Sequence, residues 1–304
     1  MSATLVCPVR GCGAPLSRAD RGLACPRGHR FDLARSGYCN LLQPQERRSR
    51  RPGDSPAALA ARRRLFDRGH GDWLVPHLLA AIDALGLPPH AAVLDVGCGE
   101  GFYLGTMARE RVIDAHGVDI SAPAVDLAAR RYPRATWVVA NADRVLPYAA
   151  GSFDLAMALT SRVNPRELRR VLAAPRDGDR EALPGARAAS AASSTAAGGF
   201  GFLLLAVPGA DDLVELRAAV QGEGHLRDRL QPALATLAAD FELLRHVTAR
   251  ERLRLDAAAA RDLLAATYRG ARARERQRAA DLADLEVTVS RDLACFRPRT
   301  RPTA

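Results

Sequence analysis

At 304 residues, 48% of them apolar, the chain is long enough for one large domain with a small appendage or for two modest domains. It has no run near the ~18–20 uninterrupted apolar residues of a membrane span, and no basic stretch followed by an apolar one at its start, so a cytoplasmic location is expected. The formal net charge is +10 and all 44 basic residues are arginine; their excess over 34 acids suits a phosphate-bearing partner, because guanidinium binds phosphate bidentately.

The six cysteines (Cys7, Cys12, Cys25, Cys39, Cys98 and Cys295) do not space as a disulfide framework. Three gather near the N-terminus, which in a reducing compartment points to metal. Cys7, Cys12, Cys25 and His29 read C-x4-C-x12-C-x3-H, a Cys3His set suited to tetrahedral zinc. Glycines flank Cys12 in "VRGCG", which lets backbone amides turn toward a thiolate, and a second turn, "PRG", precedes His29. Residues 1–44 are thus expected to form a zinc-binding domain.

Residues 45–90 read as a basic linker and helices. "QERRSRRPGDSP" carries Arg47, Arg48, Arg50 and Arg51 close together. "SPAALAARRRLFDRG" has helical periodicity, with Ser55 as its cap and Pro56 at its first position. "WLVPHLLAAIDALGL" is a second helix, stopped by Pro88 and Pro89.

From residue 91 strands alternate with helices. "AAVLDVG", "DAHGVDI", "ATWVVAN", "FDLAMAL" and "FGFLLLAVPG" read as strands. "FYLGTMARERV", "SAPAVDLAARRY" and "PRELRRVLAA" read as helices between them. Such a βαβ series predicts a doubly wound parallel sheet covered on both faces. The Ala/Ser/Gly-rich stretch 175–199 has no apolar period and is expected to be a disordered surface insertion. "FELLRHVTARERLRL" and "VTVSRDLACFRP" add two strands, with a helical pattern between them, and the domain runs to residue 304.

The most informative stretch is "VLDVGCGEGFYL", residues 93–104: a strand ending in Asp95, a tight turn through Gly97, Gly99 and Gly101, then a helix. Glycines let a ligand approach backbone amides at a helix N-terminus. The spacing is GxGxG, not the GxGxxG of dinucleotide sites, and Glu100 would repel a pyrophosphate. The pattern resembles motif I of class I methyltransferases, which bind S-adenosylmethionine. The resemblance implies that Asp95 orients the methionine amino group. It also implies that Asp119 bonds the ribose hydroxyls and that the Asn141–Asp143 turn flanks the adenine. The implied cofactor set is Asp95, Gly97, Cys98, Gly99, Glu100, Gly101, Asp119, Asn141 and Ala142.

Zinc module and glycine loop together narrow the reading. "CPRGHRFDLARSGYCNLL" (25–42), "RRSRRPGDS" (47–55), "ARRRLFDRGH" (61–70) and "VLDVGCGEGFY" (93–103) resemble the RlmA/TlrB family of 23S rRNA guanine-N1 methyltransferases. That resemblance implies a zinc domain beside a methyltransferase domain, with Cys7, Cys12, Cys25 and His29 as zinc ligands. A homodimer whose cleft grips an rRNA hairpin, and in some members macrolide resistance, are also implied. Arg47, Arg48, Arg50, Arg51, Arg62, Arg63 and Arg64, between the two modules, are the expected rRNA contacts. Asp143 and His70 are placed near the pocket by motif position, and no catalytic base is identified. Two features depart from the family pattern: the x4 spacing of the first cysteine pair, usually x2, and "ALTSRVNPREL" (158–168), which lacks a usual proline. The alternatives are methylation of another RNA or a small molecule, or an rRNA-binding homologue without transfer.

Overall fold

The computed structural model describes residues 3–46, 52–159, 161–173, 201–222, 224–267 and 280–300. The expected insertion and Arg47, Arg48, Arg50 and Arg51 lie outside the described residues. Near the N-terminus β1 (Ser17–Ala19), β2 (Gly22–Ala24) and β3 (Arg30–Asp32) form a small antiparallel sheet. Next comes a two-residue strand, β4 (Cys39–Asn40), and then two helices, α1 (Pro56–Asp67) and α2 (Leu74–Asp83). The cap expected for α1 forms: Ser55 accepts a hydrogen bond from the Ala58 amide at 3.2 Å, with Pro56 in the first turn.

The alternating region folds as β5 (Ala91–Val96), α3 (Phe102–Glu110), β6 (Ile113–Asp119), α4 (Ala122–Arg131), β7 (Thr136–Val139), β8 (Leu155–Leu159), α5 (Pro165–Val171) and β9 (Phe202–Pro208). It continues through α6 (Val214–Gln221), α7 (Leu230–Leu237), β10 (Phe241–Leu255), α8 (Ala257–Ala265) and β11 (Leu285–Pro298). The large sheet has the order β10-β11-β9-β8-β5-β6-β7-β4. β5 and β8 lie at its centre and bury every residue, which is why they read as unbroken apolar runs. The sheet is mixed, not wholly parallel: β11 enters antiparallel between β9 and β10. Sequence periodicity carries no signal for that order, since strand pairing is non-local.

The two-residue alternation divides the core. Leu94, Val96, Ala156, Ala158, Leu203 and Phe296 face one side, toward Tyr148 and Phe153, with Leu23 and Phe31 of the small sheet packed on them. Val93, Leu155, Met157 and Leu204 face the other, under Leu78, Leu104 and Val125 of α2, α3 and α4. A third cluster joins α1, α6 and α8 through Leu65, Leu216, Val220 and Leu264.

The N-terminal module is built into this sheet. Cys39 pairs with Leu33 on one side and with Val138 of β7 on the other, and the Leu41 amide donates to Val139 O at 2.9 Å. Leu5 also bridges Tyr148, with Val6 N donating to Pro147 O at 3.0 Å. Cys39 is buried, and burial pushes its thiol up to about 12, as suits a core residue rather than a ligand.

Candidate active site and metal centre

The four ligand atoms of Cys7, Cys12, Cys25 and His29 lie within 4.8 Å of one another. Cys12 Sγ and Cys25 Sγ are 3.8 Å apart, and His29 Nδ1 is 3.4 Å from both Cys7 Sγ and Cys25 Sγ. Tetrahedral zinc with ordinary bond lengths separates two sulfurs by about 3.8 Å and sulfur from nitrogen by about 3.6 Å. The donor set therefore fits the ion. The long first spacing is absorbed by a knuckle in which Cys12 N donates to Val9 O at 2.9 Å and Gly11 and Gly13 take positive φ values of 76° and 61°. Arg27 donates to Gly11 O at 2.7 Å and ties the two knuckles together. Burial pushes the Cys7 thiol up to about 11. At Cys25 burial also raises the thiol, but hydrogen bonds from the His29 and Arg27 backbone outweigh it and bring it down to about 6. Zinc binding favours the thiolate at both.

At the C-terminal ends of the parallel strands β5, β6 and β8 a cavity of about 1100 Å³ opens. Asp95, Gly97, Cys98, Gly99, Glu100, Asp119, Asn141 and Ala142 line it. Gly101 does not; it sits at the left-handed N-cap of α3 with φ 73°, where a Cβ would lie 2.3 Å from the Trp137 ring. Gly97 also needs its missing side chain: at φ 73° an added Cβ would lie 2.4 Å from Ser161 Cβ. Ser161 in turn donates to Val96 O at 2.6 Å, so the segment that departs from the family pattern is fastened to the glycine loop. Asn164 caps α5 and donates to Asp143 O at 3.0 Å, fastening the same segment to the Asn141 turn.

The acids differ in their surroundings. Asp119 accepts from Gly99 N at 2.9 Å and from Ser121 N at 2.8 Å, although burial still raises its pKa. Asp95 is buried, its Oδ1 has no partner, and burial reinforced by the Asp119 charge pushes it up to about 7. An orphaned carboxylate oxygen beside a glycine turn fits a ligand that brings a cation, as the ammonium of S-adenosylmethionine does.

Arg62 departs from its expected role. Its Nε donates to both oxygens of Glu100 at 2.8 and 3.0 Å and its Nη1 to Asp54 at 2.6 Å, inside the cavity wall beside Gly99. It neutralises the glycine loop's own acid and is committed there rather than to RNA. Arg64 makes two hydrogen bonds to Asp262 of α8, and Arg63 pairs loosely with Asp67 at 3.6 Å on the surface. His70 and Asp143 both line the cavity, as do Gly53 and Asp54, which sequence reasoning had placed only in the linker. The "RRPGDS" segment was the available signal.

Two family models match the chain: "Methyltransferase domain" over residues 93–177 and "RlmA, N-terminal", a zinc ribbon, over residues 5–50. The 23S rRNA (guanine(748)-N(1))-methyltransferase of Streptomyces fradiae is 37% identical over 256 residues, 83% of this chain and 80% of its own length. The chain belongs to the RlmA family of 23S rRNA (guanine-N1)-methyltransferases. A relative from Micromonospora griseorubida is 36% identical over 187 residues, 55% of this chain and 61% of its own. Among solved structures, the YcgJ protein of Bacillus subtilis aligns with a TM-score of 0.45 and 17% identity over 74% of this chain and all of its own. The enzyme is a methyltransferase dependent on S-adenosylmethionine, with a zinc ribbon at its N-terminus.

Proposed function

We propose that this enzyme transfers a methyl group from S-adenosylmethionine to N1 of a guanosine in a 23S rRNA hairpin. The observation that carries the reading is the 37% identity to the Streptomyces fradiae enzyme over 83% of this chain, beside an RlmA zinc ribbon match over residues 5–50. S-adenosylmethionine, when bound, supplies an electrophilic methyl group on a sulfonium. Asp95 would hold its ammonium, Asp119 its ribose, and Asn141 with Ala142 would flank the adenine. Gly97, Cys98 and Gly99 let the backbone approach it, and Glu100 is kept neutralised by Arg62.

Guanine N1 lies on the Watson–Crick edge, so the base must be unpaired or flipped to enter. The cavity continues past the cofactor end between α6, α8 and β11, where Leu213, Leu216, Leu263 and Val289 offer an apolar wall to a planar base. Arg162 and Arg229 stand exposed at its margin, suited to phosphates. Arg63, exposed on α1, adds to the basic character, and by their place in the sequence between zinc ribbon and catalytic domain Arg47, Arg48, Arg50 and Arg51 are further candidates for rRNA contact, as is Arg64 if it leaves Asp262. Action in the cytoplasm as a homodimer, and macrolide resistance as a consequence, complete the reading. For location, no described helix is long and apolar enough to cross a membrane.

Reverse transcription of unmodified 23S rRNA treated with enzyme and S-adenosylmethionine tests the proposal, because N1 methylation blocks pairing. A cofactor-dependent stop in a hairpin supports it. Cofactor binding without any new stop refutes it and favours a different substrate.

A further inference from the structure

Methylation at guanine N1 has a requirement that cofactor binding does not meet: N1 carries a proton at neutral pH, and that proton must leave for a neutral product to form. A basic atom of the protein facing the base would speed that loss. Nearly every acceptor in the cavity wall is already engaged. Asp54 and Glu100 are taken by Arg62, Asp119 by two backbone amides, Asp143 by Arg162 at 3.7 Å, and Asp212 by Arg291 at 2.6 Å and the Ser290 amide at 3.0 Å. Among the described residues two acceptors in that wall are buried without a hydrogen-bond partner: Asp95 Oδ1 and His70 Nε2. Asp95 ends β5 beside the glycine loop, on the cofactor side.

His70 lies elsewhere in the wall, and its backbone is firmly held. Its amide donates to Leu65 O at 2.9 Å just past α1. Gly71 packs so closely that a Cβ there would lie 2.4 Å from the Phe66 ring and 3.1 Å from that of Phe102, the first residue after the glycine turn. Leu263 and Leu264 of α8 line the same cavity. His70 thus follows α1 in the wall of the same cavity that the glycine loop and the apolar side chains of α8 line. We propose that His70 receives the N1 proton through Nε2 during methyl transfer. This rests on the guanine-N1 reading above.

The step balances simply. N1 bonds to the methyl carbon as the S–CH3 bond breaks, its electron pair staying on sulfur, and the N1 proton passes to Nε2, leaving an imidazolium that later gives the proton to water. The side chain is prepared for this. Burial lowers the pKa of His70, the Arg68 charge lowers it further, and Asp256, paired to Arg68 at 2.6 Å, opposes them. The ring is neutral at pH 7, and its Nδ1–H tautomer keeps a lone pair at Nε2, an atom covered in the cavity wall that the entering base must uncover.

The test uses the full-length, zinc-loaded enzyme on a 23S rRNA transcript in single-turnover reactions, comparing the wild type with His70→Gln and His70→Ala. S-adenosylhomocysteine affinity is measured by calorimetry and folding by thermal melting. Loss of the base is expected to slow methylation by about 100-fold or more while cofactor affinity changes less than about twofold. The acid limb of the wild-type pH–rate profile is expected to vanish in His70→Gln, and added imidazole to restore part of the His70→Ala rate. His70→Gln methylating within about threefold of wild type overturns the proposal. So does a parallel fall in rate, cofactor affinity and melting temperature in both variants, which marks a structural role. A wild type that makes no N1-methylguanosine overturns the functional reading and this proposal with it, whereas an active wild type with active variants overturns this proposal alone.

Discussion

Replacing Asp95 by Asn isolates the cost of placing a carboxylate at the end of β5. Asp95 is 3% exposed, lacks a partner on Oδ1, and has its pKa pushed up to about 7 by burial and by Asp119, against an ordinary 3.8. A folded pKa above the unfolded one gives stability that is fully present below about pH 4 and is lost as the pH rises through about 7. Linkage between those two values amounts to about 4 kcal/mol in all, of which about 2–3 kcal/mol falls between pH 5 and pH 8. Asparagine does not titrate. In urea melts of the zinc-loaded, cofactor-free protein, the stability advantage of Asp95→Asn over wild type should therefore grow by about 2–3 kcal/mol from pH 5 to pH 8. Other titrating groups act on both proteins and subtract out. The same variant should bind S-adenosylmethionine more weakly at pH 8, because the ammonium loses its anion. A stability difference that stays flat across this range would show that Asp95 ionises normally in the fold and would refute the reasoning.

Gly97→Ala places a Cβ 2.4 Å from Ser161 at a positive φ, so calorimetry should show cofactor affinity reduced at least tenfold, with melting lowered by a few degrees. Arg62→Ala strands Glu100, which is 8% exposed, and should destabilise the protein by about 2–3 kcal/mol in denaturant melts; Arg62→Ala with Glu100→Gln should recover part of that loss. Cys12→Ser, or chelation, should remove one zinc per chain by elemental analysis. It should also lower the melting temperature of the catalytic domain, since β4 joins the two. Arg63→Glu should weaken rRNA binding and flatten its log–log salt dependence by about one unit, without altering cofactor affinity.

The strands of the catalytic domain were legible because β5 and β8 are buried on both faces and therefore apolar throughout. The start of α1 was legible because Ser55 caps it with Pro56 behind, and Ser121 and Asn164, each also followed by proline in the first turn, cap α4 and α5 the same way. The glycine loop was readable because a close approach of backbone to ligand excludes side chains at Gly97 and Gly99. What escaped depended on partners distant in sequence. β4 has only two residues and no periodicity, and it is a strand because Val138 lies beside it. The antiparallel entry of β11 is likewise a matter of pairing. Arg62 sat in a run of three arginines that looked uniformly basic. Only Glu100, 38 residues away, and Asp54 distinguish it from Arg63.

The two residues of β4 also bear on how the protein avoids self-association. An uncovered outermost strand displays unpaired amides and carbonyls to any other chain that can align with them. β7 is a four-residue strand, Thr-Trp-Val-Val, whose outer rim would be such a template. Cys39, Asn40 and the Leu41 amide occupy it, and they are held in register by a ribbon that owes its form to the four ligands around zinc. Metal supply thereby becomes a matter of solubility as well as of recognition. Enzyme made without zinc is therefore expected to uncover a β-branched, aromatic rim and to precipitate, which light scattering of protein expressed with and without zinc would check.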